Sequence, residues 1–291
     1  MSSRPVPPRG SRLLLAAAAA AVVPAVLDRL RRSRYAQGWE RTNFHGRTVS
    51  LAAGPALATV AAGSAALGAG TPAAAGAALV AGLGSGAVGL YDDIVGARPE
   101  QKADKGFRGH LAALRAGRVS AGLVKLAGVG AASVAAAALL SADRTDRRGV
   151  RARRAGRALD VALGAGVIAG TANLVNLLDL RPGRALKASA LLGAPLAAGP
   201  AGGLVAGPLG TAAGLLPADL DERVMLGDCG ANAMGALLGT ALARRCGPGG
   251  RAALLAGLVA LNLASERVSF TKVIERTAGL RQLDQLGRRP R

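Results

Sequence analysis

Long stretches without one charged residue, separated by short basic clusters, set the strongest limit on how this chain can fold. The uncharged runs are 13–27, 48–91, 126–142, 161–178, 188–218, 229–243 and 252–265. A helix needs about 20 apolar residues to cross a hydrocarbon core about 30 Å thick, so runs of this kind read as membrane spans. The run 48–91 is too long for one crossing and is broken at Gly70-Thr71-Pro72, which predicts two spans. The run 188–218 carries Pro195, Pro200 and Pro208, and fits either one tilted helix or two short ones. The first run follows Arg4, Arg9 and Arg12 with no small-residue cleavage site before Asp28, so it reads as a retained first helix. The expectation is an all-α, polytopic membrane bundle of about nine transmembrane helices, one domain over residues 1–291.

Charge supports the same reading. A net charge of +20 would suggest nucleic acid on a compact soluble domain, but here the basic residues sit between apolar runs, so no nucleic-acid partner is expected. With nine spans and the N-terminus outside, 23 of the 37 Lys and Arg fall on the inner side and 13 on the outer, while Lys125 lies within a helix. That bias places the larger basic face in the cytoplasm of a multi-pass cell-membrane protein, against anionic lipid. Seven outer charges in the loop Arg144–Arg157 run against it. The 67 Ala and 42 Gly suit helices whose backbones pack closely in lipid. Residues 266–277 alternate apolar and basic positions and read as an amphipathic helix on the inner surface, ahead of a basic tail, 276–291. Two cysteines, Cys229 and Cys246, exclude a disulfide scaffold, and Cys229 reads as a small packing residue.

Ionisable groups at membrane depth mark function by default. Three segments carry them: Gly89-Leu-Tyr-Asp-Asp-Ile-Val-Gly96, Asn173-Leu-Val-Asn-Leu-Leu-Asp179 and Met225-Leu-Gly-Asp-Cys-Gly230. Asp92, Asp93, Asp179 and Asp228 each flank a span, and all fall on one face only if 188–218 crosses twice. Carboxylates from separate helices meeting there repel unless a cation bridges them, and Mg²⁺, which shares its shell with waters and phosphates, is the natural one. Asn173 and Asn176 lie three apart, toward the face leading to Asp179. His45 and His110 read as ordinary inner-loop residues.

In order and spacing, these three motifs resemble the polyprenyl-phosphate N-acetylhexosamine-1-phosphate transferases, over about residues 40–275. The resemblance implies transfer of a sugar-1-phosphate from a UDP-sugar to a membrane polyprenyl phosphate, with release of UMP and with Mg²⁺ as cofactor, in cell-envelope synthesis. By position, Asp92 and Asp93 match the family's paired aspartates, one of which acts on the lipid phosphate. Asn176 and Asp179 match the Asn and first Asp of the central motif, with Asn173 beside them on the substrate side. Asp228 matches a magnesium ligand, shared with Asp179, and Lys125 matches a lysine near the phosphates. A homodimer is compatible with the resemblance.

The chain departs from the family at several positions. Leu180-Arg-Pro-Gly183 stands where the central motif continues Gly-Leu-Asp-Gly, so Pro182 replaces a carboxylate on the uridine side. Gly96 replaces a common Lys, and no His-rich loop follows residue 266. Arg181, Arg184 and Lys187 are then the candidate diphosphate contacts. The departures leave a second reading, a relative that binds polyprenyl phosphate or scaffolds envelope enzymes without transfer. A transporter fits less well, since no internal repeat is visible.

Overall fold

A computed structural model describes residues 8–98, 115, 117, 119–148 and 154–289. His110, most of the segment 98–118 and the middle of the loop 144–157 lie outside the described residues. Each uncharged run forms helix: α1 Arg9–Arg31, α2 Ala53–Gly68, α3 Pro72–Val95, α4 Ala121–Arg148, α5 Arg154–Leu178, α6 Arg184–Ala197, α7 Gly202–Leu220, α8 Gly227–Arg245 and α9 Pro248–Ser265. Two short helices follow, α10 Phe270–Arg276 and α11 Ala278–Gln285. The only strands among the described residues form a hairpin, β1 Glu40–Thr42 with β2 Thr48–Ser50, which the all-α expectation omitted.

The two expected breaks have local causes. At Gly70-Thr71-Pro72, the Thr71 hydroxyl accepts from the Ala74 N–H at 3.2 Å, and Pro72 opens α3 where no N–H partner is needed. The proline-bearing run 188–218 divides between α6 and α7, so the chain turns back once more before α8. Arg12 of α1 holds that turn, donating to the carbonyls of Ala197 and Gly199 at 2.9 Å.

Successive helices alternate in direction. At one end, Arg244 pairs with Asp143 at 2.9 Å, and the buried Arg251 pairs with Asp160. At the other end, the residues of all three sequence motifs arrive. Central α8 is almost wholly buried against α2, α3 and α5. Small residues permit this: a Cβ on Gly235 would meet the α5 backbone at 2.6 Å, and one on Gly210 would meet the α1 backbone at 2.0 Å. Close backbone approach of this kind is how helices associate where lipid removes the hydrophobic drive.

By length and composition, α1, α3, α4 and α5 are able to cross a membrane, and α9 with α10 passes the same test as a pair bent by 92°. The protein is therefore helical, with four or five candidate spans among the described residues; the nine expected are not confirmed. With 16 and 14 residues, α2 and α6 rise only about 24 and 21 Å, short of an average hydrocarbon core.

Candidate active site

The site is built on the first turn of α8. Gly227 opens that helix at φ +62°, in the left-handed region that glycine enters without steric cost. The first N–H groups of a helix lack internal partners, and here an acidic side chain from α3 supplies two of them. Asp93, at the end of α3, accepts from the Asp228 N–H through Oδ1 and the Cys229 N–H through Oδ2, both at 2.9 Å. Asp179, just past α5, lies beside the same turn, within electrostatic reach of Asp93, Asp228 and the Gly227 amide. Negative charge at a helix N-terminus is also favoured by the helix dipole. Two distant motifs are thus joined through one pair of backbone amides, with the third beside them.

Beside this cap, Lys125 of α4 lies between two carboxylates. Its Nζ is 2.7 Å from Asp92 Oδ2 and 2.8 Å from Asp228 Oδ2. All three side chains are at most a quarter exposed, so water screens them poorly. Burial, and then the facing carboxylates of Asp219, Asp93 and Asp228, holds the Asp179 carboxyl well above the usual carboxylate range.

Four expected site residues therefore converge with Lys125: Asp92, Asp93, Asp179 and Asp228. Each oxygen of Asp93 accepts from one backbone donor, a geometry that positions Asp228. The expected substrate-side placement of Asn173 is corrected. It donates to Asn262 of α9, away from the carboxylates. Each three-residue step rotates a helical position by about 60°, so two steps separate Asn173 from Asp179 by about 120°. Asn176, one step away, stays partly buried on the nearer side.

Of the candidate diphosphate contacts, Arg184 and Lys187 are otherwise engaged. Arg184 is buried and forms a two-point pair with Asp284 of α11, at 2.8 and 3.0 Å. Lys187 donates to the carbonyls of Leu283, Asp284 and Leu286 at the end of that helix. The C-terminal segment expected as a tail is thus latched onto α6. Arg181 instead faces a cavity of about 190 Å³ next to Asp179, its guanidinium 4.1 Å from the centre of the Phe44 ring. The hairpin, the 179–182 turn and the link from α7 to α8 form that cavity.

The sequence reading missed the residues around this cavity. Asp219 accepts from the Gly183 N–H at 2.9 Å and caps α6, though 36 positions separate the two residues. Glu222 takes φ +54° just after α7, uncommon outside glycine, and its N–H bonds the Asp219 carbonyl while the Arg223 N–H bonds that of Ala218. Its carboxylate is held by Asn43 at 2.6 Å, His45 at 2.9 Å and Arg47 at 3.5 Å. Burial opposes ionisation of Glu222, but the hydrogen bonds from His45 and Asn43 outweigh it and hold its carboxyl below the usual range. The one local signal was Asn43-Phe-His-Gly46 between short polar-apolar alternations, with Gly46 at φ +77° in the turn.

Among the described residues, no group of three or more His, Cys, Asp or Glu side chains is set to hold a metal ion. The donors present fit a narrower role. Asp92 and Asp228 face one another across Lys125 and offer two hard-oxygen carboxylates, and Mg²⁺ commonly takes one or two of these and completes its shell with waters and phosphates. Asp92 and Asp228 together carry two formal negative charges against the single positive charge of Lys125, an excess that favours a further cation. Comparison with protein-family models, with curated proteins and with solved structures returns no match to this chain.

Proposed function

We propose that this protein transfers a phospho-N-acetylhexosamine from a UDP-sugar to a membrane polyprenyl phosphate, giving a polyprenyl-diphosphate sugar and UMP. The observation that carries this reading is the convergence of Asp92, Asp93, Asp179 and Asp228 with Lys125 on the first turn of α8. We read α1 to α9 as all entering the bilayer of the cell membrane, the shorter ones shielded by their neighbours, with the carboxylate end at the cytoplasmic face.

In the reaction, an oxygen of the lipid phosphate attacks the sugar-bearing phosphorus of the donor, and the diphosphate bond to UMP breaks. Both partners are anionic, so positioning and charge neutralisation carry most of the catalysis. Mg²⁺, when bound through Asp92 and Asp228, supplies Lewis-acid neutralisation of the transferring phosphoryl group. Asp93 holds the α8 amides, and through them the Asp228 backbone, in place. Lys125 neutralises carboxylate charge and lies close enough to exchange one carboxylate for a phosphate oxygen. Arg181, which lines the adjoining cavity with Asp179 and lies 3.9 Å from Glu275, is the candidate cation for the donor side.

The test uses purified protein in lipid nanodiscs with undecaprenyl phosphate, Mg²⁺ and a panel of labelled nucleotide sugars. Label moving to the lipid fraction, lost with chelator and in Asp92→Asn and Asp228→Asn, supports transfer. No movement from any donor overturns it. A second reading, a polyprenyl-phosphate-binding protein without transfer, is favoured by one observation. Pro182 stands where the resemblance expects a carboxylate, and its carbonyl is occupied by Arg288 at 2.9 Å. Retained binding of undecaprenyl phosphate without transfer would select that reading.

A further inference from the structure

The C-terminal helices present an apolar face that nothing else among the described residues covers. Val268, Val273, Leu280 and Leu283 are 41–47% exposed, and Leu286 is 66% exposed. Leu280 and Leu283 lie three apart on α11 and share a face, while Arg281, Gln282 and Gln285 point elsewhere. Exposed basic residues run along the same segment, at Arg267, Lys272, Arg276 and Arg281, against exposed Glu266 and Glu275.

This exposure is imposed by the tertiary structure. The buried Asp284 is gripped by Arg184 and Arg288, Lys187 holds the carbonyls at the end of α11, and Arg184 also donates to Thr271 of α10 at 2.8 Å. These contacts fix the Asp284 side of the segment against the bundle, with Leu280 and Leu283 half exposed along its edge.

Along its length α9 packs on α5, with Gly166 against Leu255 and Gly170 against Leu258. Since α5 is one of the helices able to cross a membrane, α9 follows the same axis. From that axis α10 departs at 92° at the carboxylate end, so on the bilayer reading of α5 and α9 it runs along the membrane plane.

We propose that residues 267–286 dock on an anionic lipid surface, with Val273, Leu280 and Leu283 inserted at the acyl boundary and Arg267, Lys272, Arg276 and Arg281 at the headgroups. Helices with one apolar and one basic face bind interfaces in this way, and anionic headgroups add attraction for each nearby cation. The segment 98–118 of this chain is a less suitable cover, since it carries six basic residues of its own. The proposal rests on the bilayer reading of α5 and α9, and is independent of transferase activity.

The test places one tryptophan in the full-length chain. In a Trp39→Phe background, which removes the single native Trp, Leu283→Trp and, separately, Leu280→Trp are reconstituted into vesicles of phosphatidylcholine with phosphatidylglycerol. Lipid carrying a nitroxide near the top of its acyl chain is expected to quench either tryptophan at least about twofold more than it quenches Gln282→Trp on the polar face. Replacing Lys272 and Arg276 by Gln is expected to reduce that quenching. Quenching by aqueous iodide but not by the lipid nitroxide would overturn the proposal. Protection from both quenchers would overturn it too, by showing that a protein surface, from this chain or a second copy, covers the face.

Discussion

Gly89 is where α3 passes the first turn of α8, and adding one methyl group there tests the architecture of the site directly. A Cβ on Gly89 would lie 2.3 Å from the Asp228 carbonyl oxygen, 2.5 Å from its carbon and 2.7 Å from the Cys229 nitrogen. Ordinary contact begins near 3.4 Å, and all three atoms are backbone, so the helices must part by about 1 Å. Asp93 lies one turn further along α3 and bonds the Asp228 and Cys229 amides at 2.9 Å. Moving them to about 3.9 Å ends both bonds. Overpacking costs about 1–3 kcal/mol and a lost acidic cap about 1–2 kcal/mol, so Gly89→Ala is expected to lose roughly 2–5 kcal/mol. Displacement of Asp228 from Asp92 by about 1 Å is expected to lower transfer about 100-fold. The assays are the unfolding midpoint in detergent and label transfer to the lipid. Gly76→Ala, on the same helix, meets only the flexible end of Leu139 at 3.4 Å and is expected to change neither. A Gly89→Ala protein that melts with the native one and transfers within about threefold of it would refute the reasoning.

Further predictions address the surrounding contacts. Asp93→Ala is expected to lower stability by about 1–2 kcal/mol, and Asp93→Asn, which keeps one acceptor oxygen, by less; melting midpoints separate the two. Asp284→Ala leaves the buried Arg184 without its carboxylate, a loss of about 3–5 kcal/mol to the latch, read as faster proteolysis after Arg281 and Arg288 and reversed by adding Arg184→Met. Glu222 has a lowered carboxyl, so its contribution is fully present above the ordinary value of 4.5 and is lost as pH falls through the lower folded value. Trp39 fluorescence, next to the hairpin, should report loosening in that acid range, and Glu222→Gln should lack the transition.

How much of this was legible in the sequence depended on the length scale of the signal. The nine helices follow from uncharged runs, and the break before Pro72 follows from a capping residue beside a proline, both contiguous features. The meeting of Asp92, Asp93 and Asp228 was also reachable, because alternation of direction needs only the parity of the helices. The chemistry of each side chain was not. Asp93 reads as an acid beside another acid, and only the approach of α8 turns it into a cap. Arg184 and Lys187 read as free cations beside the motif, yet a carboxylate and three carbonyls about 100 positions away consume them. Asn173 carries the right residue type on a helix whose rotation points it elsewhere.

By itself, then, the sequence determined that this chain is a helical bundle built for an apolar environment and that its few carboxylates gather at one end. Hydrophobicity and charge act residue by residue, so they are written along the chain. The tertiary structure alone decided which carboxylates hold backbone amides, which face Lys125, and which cations remain beside the cavity. Those outcomes depend on hydrogen-bond geometry between helices distant in sequence, where a rotation of 60° or a shift of 1 Å changes a ligand into a brace.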